Sequence, residues 1–242
     1  IEGSTYYFHQ DGKMAVGTVY LGITMCEFGD DGKLISKEEN KIDPDRPVIA
    51  LTFDDGPGKR TGELLEQLEK YDAKATFFML GQKVASYPDE IKKMKEIGCE
   101  LGNHSYDHPN LANLSAGGVK KQIGDTNSKI KKIVGEEATV MRPPYGAISA
   151  TLRENAGMPL ILWNIDTLDW KTRNAKTTVD MVMKNVDDGD IILMHDIHTE
   201  SVDAAIELIP KLLEKGYQLV TVSELAAYKN VTLENGEKYT DF

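Results

Sequence analysis

The strongest constraint on the fold is a regular alternation of short apolar segments with amphipathic segments after Pro47. Three stretches carry apolar residues at helical spacing: Thr61–Tyr71, the segment after Ser115, and Val202–Lys215. Strands that alternate with helices pair in parallel through right-handed crossovers. The pattern predicts an α/β fold of about seven parallel strands, either a (β/α) barrel or an open doubly wound sheet. The predicted strands are Val48–Phe53, Ala75–Leu80, Cys99–Gly102, Thr139–Met141, Leu160–Asn164, Ile191–Met194 and Gln218–Val220.

Composition excludes several classes of protein. The 242 residues carry 28 Lys and Arg against 39 Asp and Glu, a formal net charge of −11, which argues against a general binder of nucleic-acid phosphates. No apolar run approaches the roughly 18 residues needed to cross a bilayer, so no membrane span is predicted. Two cysteines, Cys26 and Cys99, can form at most one disulfide, and we expect them to be unpaired. A soluble enzyme or a binding protein remains.

Residues 1–40 differ in character from residues 41–242, which we expect to form the main domain. Two aromatic stretches, Tyr6–Met14 and Cys26–Leu34, each contain Asp-Gly, a dipeptide that favours β-hairpins. One interpretation is a small N-terminal β-hairpin segment packed on the main domain. The other is a remnant of a cell-wall-binding repeat, because the pattern resembles the choline- or glucan-binding repeats of bacterial surface proteins. That resemblance implies cell-wall attachment through this segment. The polar stretch Ser36–Pro47 is expected to be a linker.

Polar and ionisable residues cluster at the ends of the predicted strands. In a parallel barrel the carboxyl ends of all strands share one face, and that face carries the active site. The sequence therefore predicts a catalytic face built from these clusters. Five of the seven predicted strands are followed by such a cluster: Asp54–Pro57, Asn103–Pro109, Arg142–Gly146, Asp166–Trp170 and His195–His198.

The second cluster contains His104 and His108, four residues apart. On one helical turn, this spacing would direct both imidazoles the same way. With a carboxylate, they would form a His₂Asp set with an open position for water, which is typical of catalytic zinc. Two unrelated surface histidines are the alternative. Their position after a strand, on the same predicted face as Asp54 and Asp55, favours the metal site.

Adjacent carboxylates at Asp54 and Asp55 repel each other unless a cation neutralises one of them. A metal on one and a base role for the other would resolve that repulsion, whereas a simple Asp-Gly-Pro turn is the alternative. Arg142 is a candidate to hold one carboxylate through two hydrogen bonds, with a salt bridge at the rim as the alternative. His195 is a candidate general acid whose pKa a nearby Asp would raise, with a core histidine as the alternative. His198 is expected in a surface loop.

Together, the segments from Arg46 to Tyr228 resemble the polysaccharide deacetylase family, which is carbohydrate esterase family four and is also called the NodB-homology domain. Five motifs of that family occur here in order. They are Thr52-Phe53-Asp54-Asp55-Gly56-Pro57, His104-Ser105-Tyr106-Asp107-His108, Arg142-Pro143-Pro144-Tyr145, Asp166-Thr167-Leu168-Asp169-Trp170 and Leu193-Met194-His195.

This resemblance implies a distorted (β/α) barrel with a divalent metal, usually zinc, held by Asp55, His104 and His108. Cobalt or another divalent ion is the alternative, because the ligand types restrict the metal without fixing it. By the same resemblance, Asp54 is the general base that activates metal-bound water against the acetamide carbonyl. His195 then protonates the leaving amine.

The resemblance also implies supporting roles. Arg142 would orient the base, and Asp169 would tune the general acid. The backbone N–H of Tyr145 would help to stabilise the oxyanion, while Trp170 and Leu193 would form an apolar wall for the acetyl methyl group.

Two further segments, residues 163–174 and 193–198, are most similar to bacterial peptidoglycan N-acetylglucosamine deacetylases. The leading hypothesis is a metal-dependent hydrolase that removes N-acetyl groups from N-acetylglucosamine in cell-wall glycan, in a secreted or cell-surface protein. The same chemistry on chitooligosaccharide or O-acetylated xylan is an alternative. A non-catalytic carbohydrate-binding surface protein is another, which Asp54 and His195 disfavour because binding alone needs neither a base nor an acid.

Overall fold

The computed structural model describes residues 4–8, 12–21, 24–38 and 41–242. Near the N-terminus, strands β1 (Gly17–Leu21), β2 (Thr24–Phe28) and β3 (Leu34–Glu38) form an antiparallel sheet in that order. The chain turns between β2 and β3 at Gly32, whose φ of +74° suits a residue without a β-carbon. The second predicted hairpin is therefore confirmed. Asp11 of the first hairpin lies outside the described residues, although Phe8 and Met14 form an antiparallel bridge across it.

The main sheet is a curled half-barrel of parallel strands, which confirms the α/β, distorted-barrel expectation. Its order is β12-β8-β7-β6-β5-β4-β10-β9, and β11 pairs with β4. No pairing joins β12 to β9 within the described ranges, so the barrel is open there. The strands are β4 (Val48–Asp54), β5 (Thr76–Met79), β6 (Glu100–Asn103), β7 (Val140–Met141), β8 (Leu160–Ile161), β9 (Ile165–Asp166), β10 (Ile191–His195), β11 (Gln218–Leu219) and β12 (Lys238–Tyr239).

The predicted strand Leu160–Asn164 is wrong in its extent. It separates into β8 and β9, which lie far apart in the sheet: β9 is at one edge, and β8 is next to β12 at the other. Between them, the Asn164 side chain accepts a hydrogen bond from the Ile191 backbone N–H (3.0 Å), so a side chain replaces a regular ladder bond. The C-terminal strand β12, which pairs with β8, was not predicted.

Helices cover the outside of the half-barrel. The three predicted helices are confirmed as α1, α4 and α8, with ends that move by a few residues. In the described part of the chain, no helix is both long and apolar enough to cross a membrane. The helices are α1 (Thr61–Lys70), α2 (Gly81–Val84), α3 (Pro88–Glu96), α4 (Ala116–Val134), α5 (Ala150–Asn155), α6 (Asp169–Thr172), α7 (Ala175–Asn185), α8 (Thr199–Glu214) and α9 (Val222–Tyr228), with 3₁₀ turns at Leu111–Asn113 and Pro144–Gly146.

The core lies on both faces of β4, which is buried along its whole length. Ile49, Leu51 and Phe53 belong to the outer cluster with the helices, whereas Val48 and Ala50 belong to the cluster inside the half-barrel. Because side chains alternate along a strand, Thr52 and Asp54 continue the inner face. Strand periodicity thus directs the Asp54 carboxylate into the mouth of the half-barrel.

Within the expected linker Ser36–Pro47, the structure describes residues 36–38 and 41–47, and several of these pair with other segments. Ser36 belongs to β3. Further along, the Asp43 N–H donates to Gln218 Oε1 (2.7 Å), and Arg46 Nε donates to the Gly216 carbonyl (2.9 Å). These bonds fix the segment to the half-barrel at the start of β11. Elsewhere, Cys26 and Cys99 are both buried and free, as expected.

Candidate active site

Arg142 is the centre of a buried hydrogen-bond network behind the site. Its Nη1 donates to Asp54 Oδ1 (2.8 Å) and to Thr52 Oγ1 (2.7 Å). Nε donates to the Ile161 carbonyl (3.1 Å), and Nη2 donates to the Leu162 carbonyl (2.8 Å). The guanidinium therefore gives Asp54 one hydrogen bond, not the predicted two, because its other recorded bonds go to Thr52 and to the carbonyls of Ile161 and Leu162.

Arg142 does not form the exposed salt bridge at the rim that was the alternative prediction. The side chain is completely buried, with its guanidinium carbon 4.2 Å from the Phe78 ring centroid and 5.5 Å from that of Trp163. Burial lowers the pKa of the guanidinium, although Asp54 opposes the shift. A charge this deep is tolerated because it is paired with Asp54 and makes three further hydrogen bonds.

Asp55, His104 and His108 converge at the mouth of the half-barrel. Asp55 Oδ1 lies 3.5 Å from Nε2 of each histidine, and one ligand atom from each residue lies within 4.8 Å of the others. Asp55 Oδ1 is buried and has no hydrogen-bond partner among the described residues. An orphaned carboxylate oxygen between two imidazole nitrogens fits a divalent cation, which takes these donors.

The orientation of His104 also fits a metal ligand. Its Nδ1 lies 2.7 Å from the Arg142 carbonyl. Because a carbonyl only accepts, Nδ1 carries the proton, and Nε2 is left with its lone pair towards Asp55. Burial lowers the pKa of His104 against the pull of Asp54 and Asp55, which favours the neutral ring that binds metals.

The predicted helical turn between His104 and His108 is wrong. Both histidines lie in a loop after β6, in which Ser105 has a φ of +69° and His108 has a φ of +67°. Asn103 Oδ1 accepts from the Ser105 N–H (2.8 Å), and Ser105 Oγ accepts from the His108 N–H (3.1 Å). These local bonds replace the helical hydrogen bonds and still bring the imidazoles together.

On the opposite wall, Asp169 fixes His195. His195 Nδ1 lies 2.8 Å from Asp169 Oδ1, and the His195 N–H donates to Asp169 Oδ2 (2.8 Å). Burial works against the imidazolium, but the hydrogen bond and charge of Asp169 outweigh it, so the pKa of His195 is raised. The ring is thereby oriented and kept protonated to higher pH, as a general acid requires.

These walls enclose a cleft of about 520 Å³. Of the predicted residues, Arg142 and Asp169 lie behind the cleft and the other eight line it. Pro143, Trp163 and Asp166 also line it, without an individual role in the sequence-based prediction. Their signal was present, since all three lie in or beside the polar clusters that follow strands. The lining is Asp54, Asp55, His104, His108, Pro143, Tyr145, Trp163, Asp166, Trp170, Leu193 and His195.

Tyr145, Trp170 and Leu193 occupy different levels of the cleft. Tyr145 has a φ of +62°, and its N–H has no acceptor among the residues that the structure describes. The Tyr145 ring meets the His108 ring edge-on at 4.7 Å. Leu193 is buried on β10 at the base, whereas the half-exposed Trp170 stands at the rim.

Comparison with known proteins places these residues in a family. A family model described as polysaccharide deacetylase matches residues 41–158. A peptidoglycan-N-acetylglucosamine deacetylase of Bacillus cereus is 38% identical over 193 residues, which are 76% of this chain and 90% of that protein. The chain belongs to the polysaccharide deacetylase family.

Two further known proteins are similar to this chain. Peptidoglycan-N-acetylmuramic acid deacetylase PdaC of Bacillus subtilis is 50% identical over 193 residues, which cover 79% of this chain and 41% of PdaC. A family 4 acetyl xylan esterase from Clostridium thermocellum, solved in complex with a cobalt ion, is 36% identical. It superposes with a TM-score of 0.75 over 80% of this chain and 98% of its own. The chain thus spans about two fifths of the length of PdaC.

Proposed function

We propose that this protein is a metal-dependent deacetylase that removes N-acetyl groups from N-acetylglucosamine in bacterial cell-wall glycan. The observation that carries the proposal is the convergence of three metal-type donors, Asp55, His104 and His108, beside a separately held carboxylate and opposite a protonatable imidazole. A carbohydrate-binding protein without turnover has no use for the last two groups.

Asp55, His104 and His108 would hold the divalent cation, with zinc as the proposed ion because the set combines nitrogen and carboxylate donors. Such an ion supplies a Lewis acid for the amide carbonyl and lowers the pKa of water. The remaining steps belong to side chains of this protein.

Asp54 is the proposed general base. Arg142 occupies Oδ1 and leaves the second oxygen towards the cleft, where Asp54 Oδ2 lies 3.7 Å from His104 Nε2. That oxygen takes the proton of the attacking water. His195 then delivers its Nε2 proton to the nitrogen of the breaking C–N bond, because Asp169 engages its Nδ1. The products are acetate and a free amine.

The cleft supplies orientation for this reaction. The unpaired N–H of Tyr145 is the proposed donor to the developing oxyanion. Leu193 and Trp170 provide the apolar surface for the acetyl methyl group. Because the proposed polymer lies outside the cytoplasmic membrane, we place the protein among secreted or cell-surface proteins.

The test is acetate release from peptidoglycan, N-acetylchitopentaose and acetylxylan, each with added zinc, with added cobalt and after chelation. Asp54→Asn is expected to retain the metal but to lose on the order of 10²–10⁴-fold in kcat. His104→Ala is expected to lose both metal and activity. Asp107→Asn is the matched control, since this exposed carboxylate in the same loop bonds Gln122 (2.8 Å) outside the cleft.

Each contrary result has a distinct meaning. Near-normal turnover by Asp54→Asn would overturn the base assignment, and full activity after complete chelation would overturn the metal requirement. Release from acetylxylan alone would indicate an esterase similar to the Clostridium thermocellum relative. No release from any polymer, with the metal bound, would indicate a binding protein.

A further inference from the structure

A second cavity, of about 340 Å³, lies beyond the catalytic cleft on the side of His195. The loop after β10 forms the wall between them: the His198 ring is 6.2 Å from the His195 ring and lines the second cavity. Lys59 and Lys83 line it from the loop after β4 and from α2. We call this cavity the Lys59–Lys83 pocket. One loop thus separates this pocket from the His195 side of the catalytic cleft.

Lys59 and Lys83 bring two positive charges to the lining of the Lys59–Lys83 pocket, in a protein whose formal net charge is −11. Neither lysine forms an ion pair with any residue that the structure describes, so both charges are available to a ligand. The third cation of the lining, Arg60, is already neutralised by Glu63 (2.7 Å) and Asp203 (2.6 Å).

Two further features favour an anion there. Helix α8 begins at Thr199, on the pocket wall, without a side-chain cap, so its first backbone N–H groups are not bonded by a capping side chain, although Glu200 in the first turn offsets part of the positive end of its dipole. The one acidic residue of the lining, Asp196, is buried, bonds Thr61, and has its carboxylate packed against Gly56 rather than left open to the pocket.

We propose that the Lys59–Lys83 pocket binds a carboxylate carried by the sugar next to the one that is deacetylated. This inference rests on the proposed function, since it requires a glycan in the catalytic cleft. In peptidoglycan, such a carboxylate comes from the lactyl ether of muramic acid or from its stem peptide. Chitooligosaccharides carry none. The pocket would therefore select an anionic cell-wall glycan over a neutral polymer of the same acetylated sugar.

The test compares the wild type with Lys59→Gln, Lys83→Gln and the double variant. Equilibrium binding by calorimetry and steady-state acetate release are measured on three ligands: peptide-free peptidoglycan strands, peptide-bearing strands and N-acetylchitopentaose. Lys132→Gln, an exposed lysine of α4, is the control for loss of one positive charge.

The double variant is expected to raise Kd and KM for the carboxylate-bearing strands by about tenfold at low salt, a few-fold for each lysine. The kcat, and the binding of N-acetylchitopentaose, should change less than about twofold, as in the Lys132→Gln control. Added salt should weaken strand binding by the wild type and have little effect on the double variant. If the double variant loses affinity for peptide-free strands, the bound group is the lactyl carboxylate. If it loses affinity only for peptide-bearing strands, the bound group belongs to the stem peptide.

The binding measurement separates this proposal from the proposed function. Absence of acetate release refutes the deacetylase, whereas the Kd comparison still decides the role of the pocket. Equal Kd values for the wild type and the double variant would overturn it. An equal loss of affinity for the carboxylate-bearing strands and for N-acetylchitopentaose would also overturn it. So would wild-type binding of the strands that does not depend on salt.

Discussion

Replacing Arg142 with methionine is expected to lower the free energy of unfolding by about 3–5 kcal/mol. Methionine retains much of the aliphatic stem but leaves the Asp54 carboxylate, which is only 3% exposed, without its cation. The carbonyls of Ile161 and Leu162 lose their donors at the same time. Loss of the buried pair alone accounts for about 3–5 kcal/mol. The two unsatisfied carbonyls, at about 1–3 kcal/mol each, make that range a lower limit.

A double-mutant cycle with Asp54→Asn isolates the ion pair from the other bonds. The neutral amide needs no cation, so the double variant should be more stable than the sum of the two single losses predicts, by about 2 kcal/mol. Urea unfolding is followed by circular dichroism and fluorescence in the presence of chelator, so that metal binding does not contribute.

Arg153→Met is the control for this cycle, because Arg153 is partly exposed and pairs with the exposed Glu237 at 3.3 Å. A loss below about 1 kcal/mol is expected there. If Arg142→Met costs no more than this control, or if the coupling energy with Asp54 is zero, the argument for a buried, carboxylate-holding arginine is refuted.

Two other substitutions test the loops around the site. Asp169→Asn removes the charge that raises the pKa of His195, so the imidazole loses its proton at a lower pH. The alkaline limb of the kcat/KM profile should therefore shift to lower pH, and kcat should fall by on the order of 10²-fold. An unmoved alkaline limb would contradict the acid assignment. Gly56→Ala places a β-carbon inside the Asp196 carboxylate and should cost about 1–3 kcal/mol in urea unfolding and weaken zinc binding in a competitive chelator titration. Gly117→Ala on α4 is the control, because a β-carbon there meets nothing within 4 Å, and it should stabilise the protein by about 0.5–1 kcal/mol. Equal effects of the two substitutions on stability would refute the close-packing argument.

Much of the site was predictable because it depends on local sequence. An apolar run such as β4 must be buried, and its alternation puts Asp54 on the inner face. Parallel strands bring their carboxyl ends to one face, so Asp55, His104 and His195 were predicted to be neighbours without knowledge of strand order. With Asp54, their residue types then indicated a metal site with an acid and a base, before any distance was known.

Several features of the site were not readable from spacing. His104 and His108 converge through a loop whose form depends on the Ser105 and Asn103 side chains, not through a helical turn. Arg142 was predicted to hold a carboxylate through two hydrogen bonds, but it donates only one to Asp54, because its Nε and Nη2 donate to the carbonyls of Ile161 and Leu162 at the end of β8. That same stretch interrupts the predicted strand.

The sequence by itself determined the α/β class, the catalytic face and the residue types that the chemistry needs, because these follow from periodicity and from the ends of strands. Only the tertiary structure decided which oxygen of Asp54 is occupied, which nitrogen of His104 is free, and that Lys59, Lys83 and His198 surround one cavity. The physical reason is that these relations depend on contacts between segments far apart in the chain, whose geometry is set by packing rather than by local pattern.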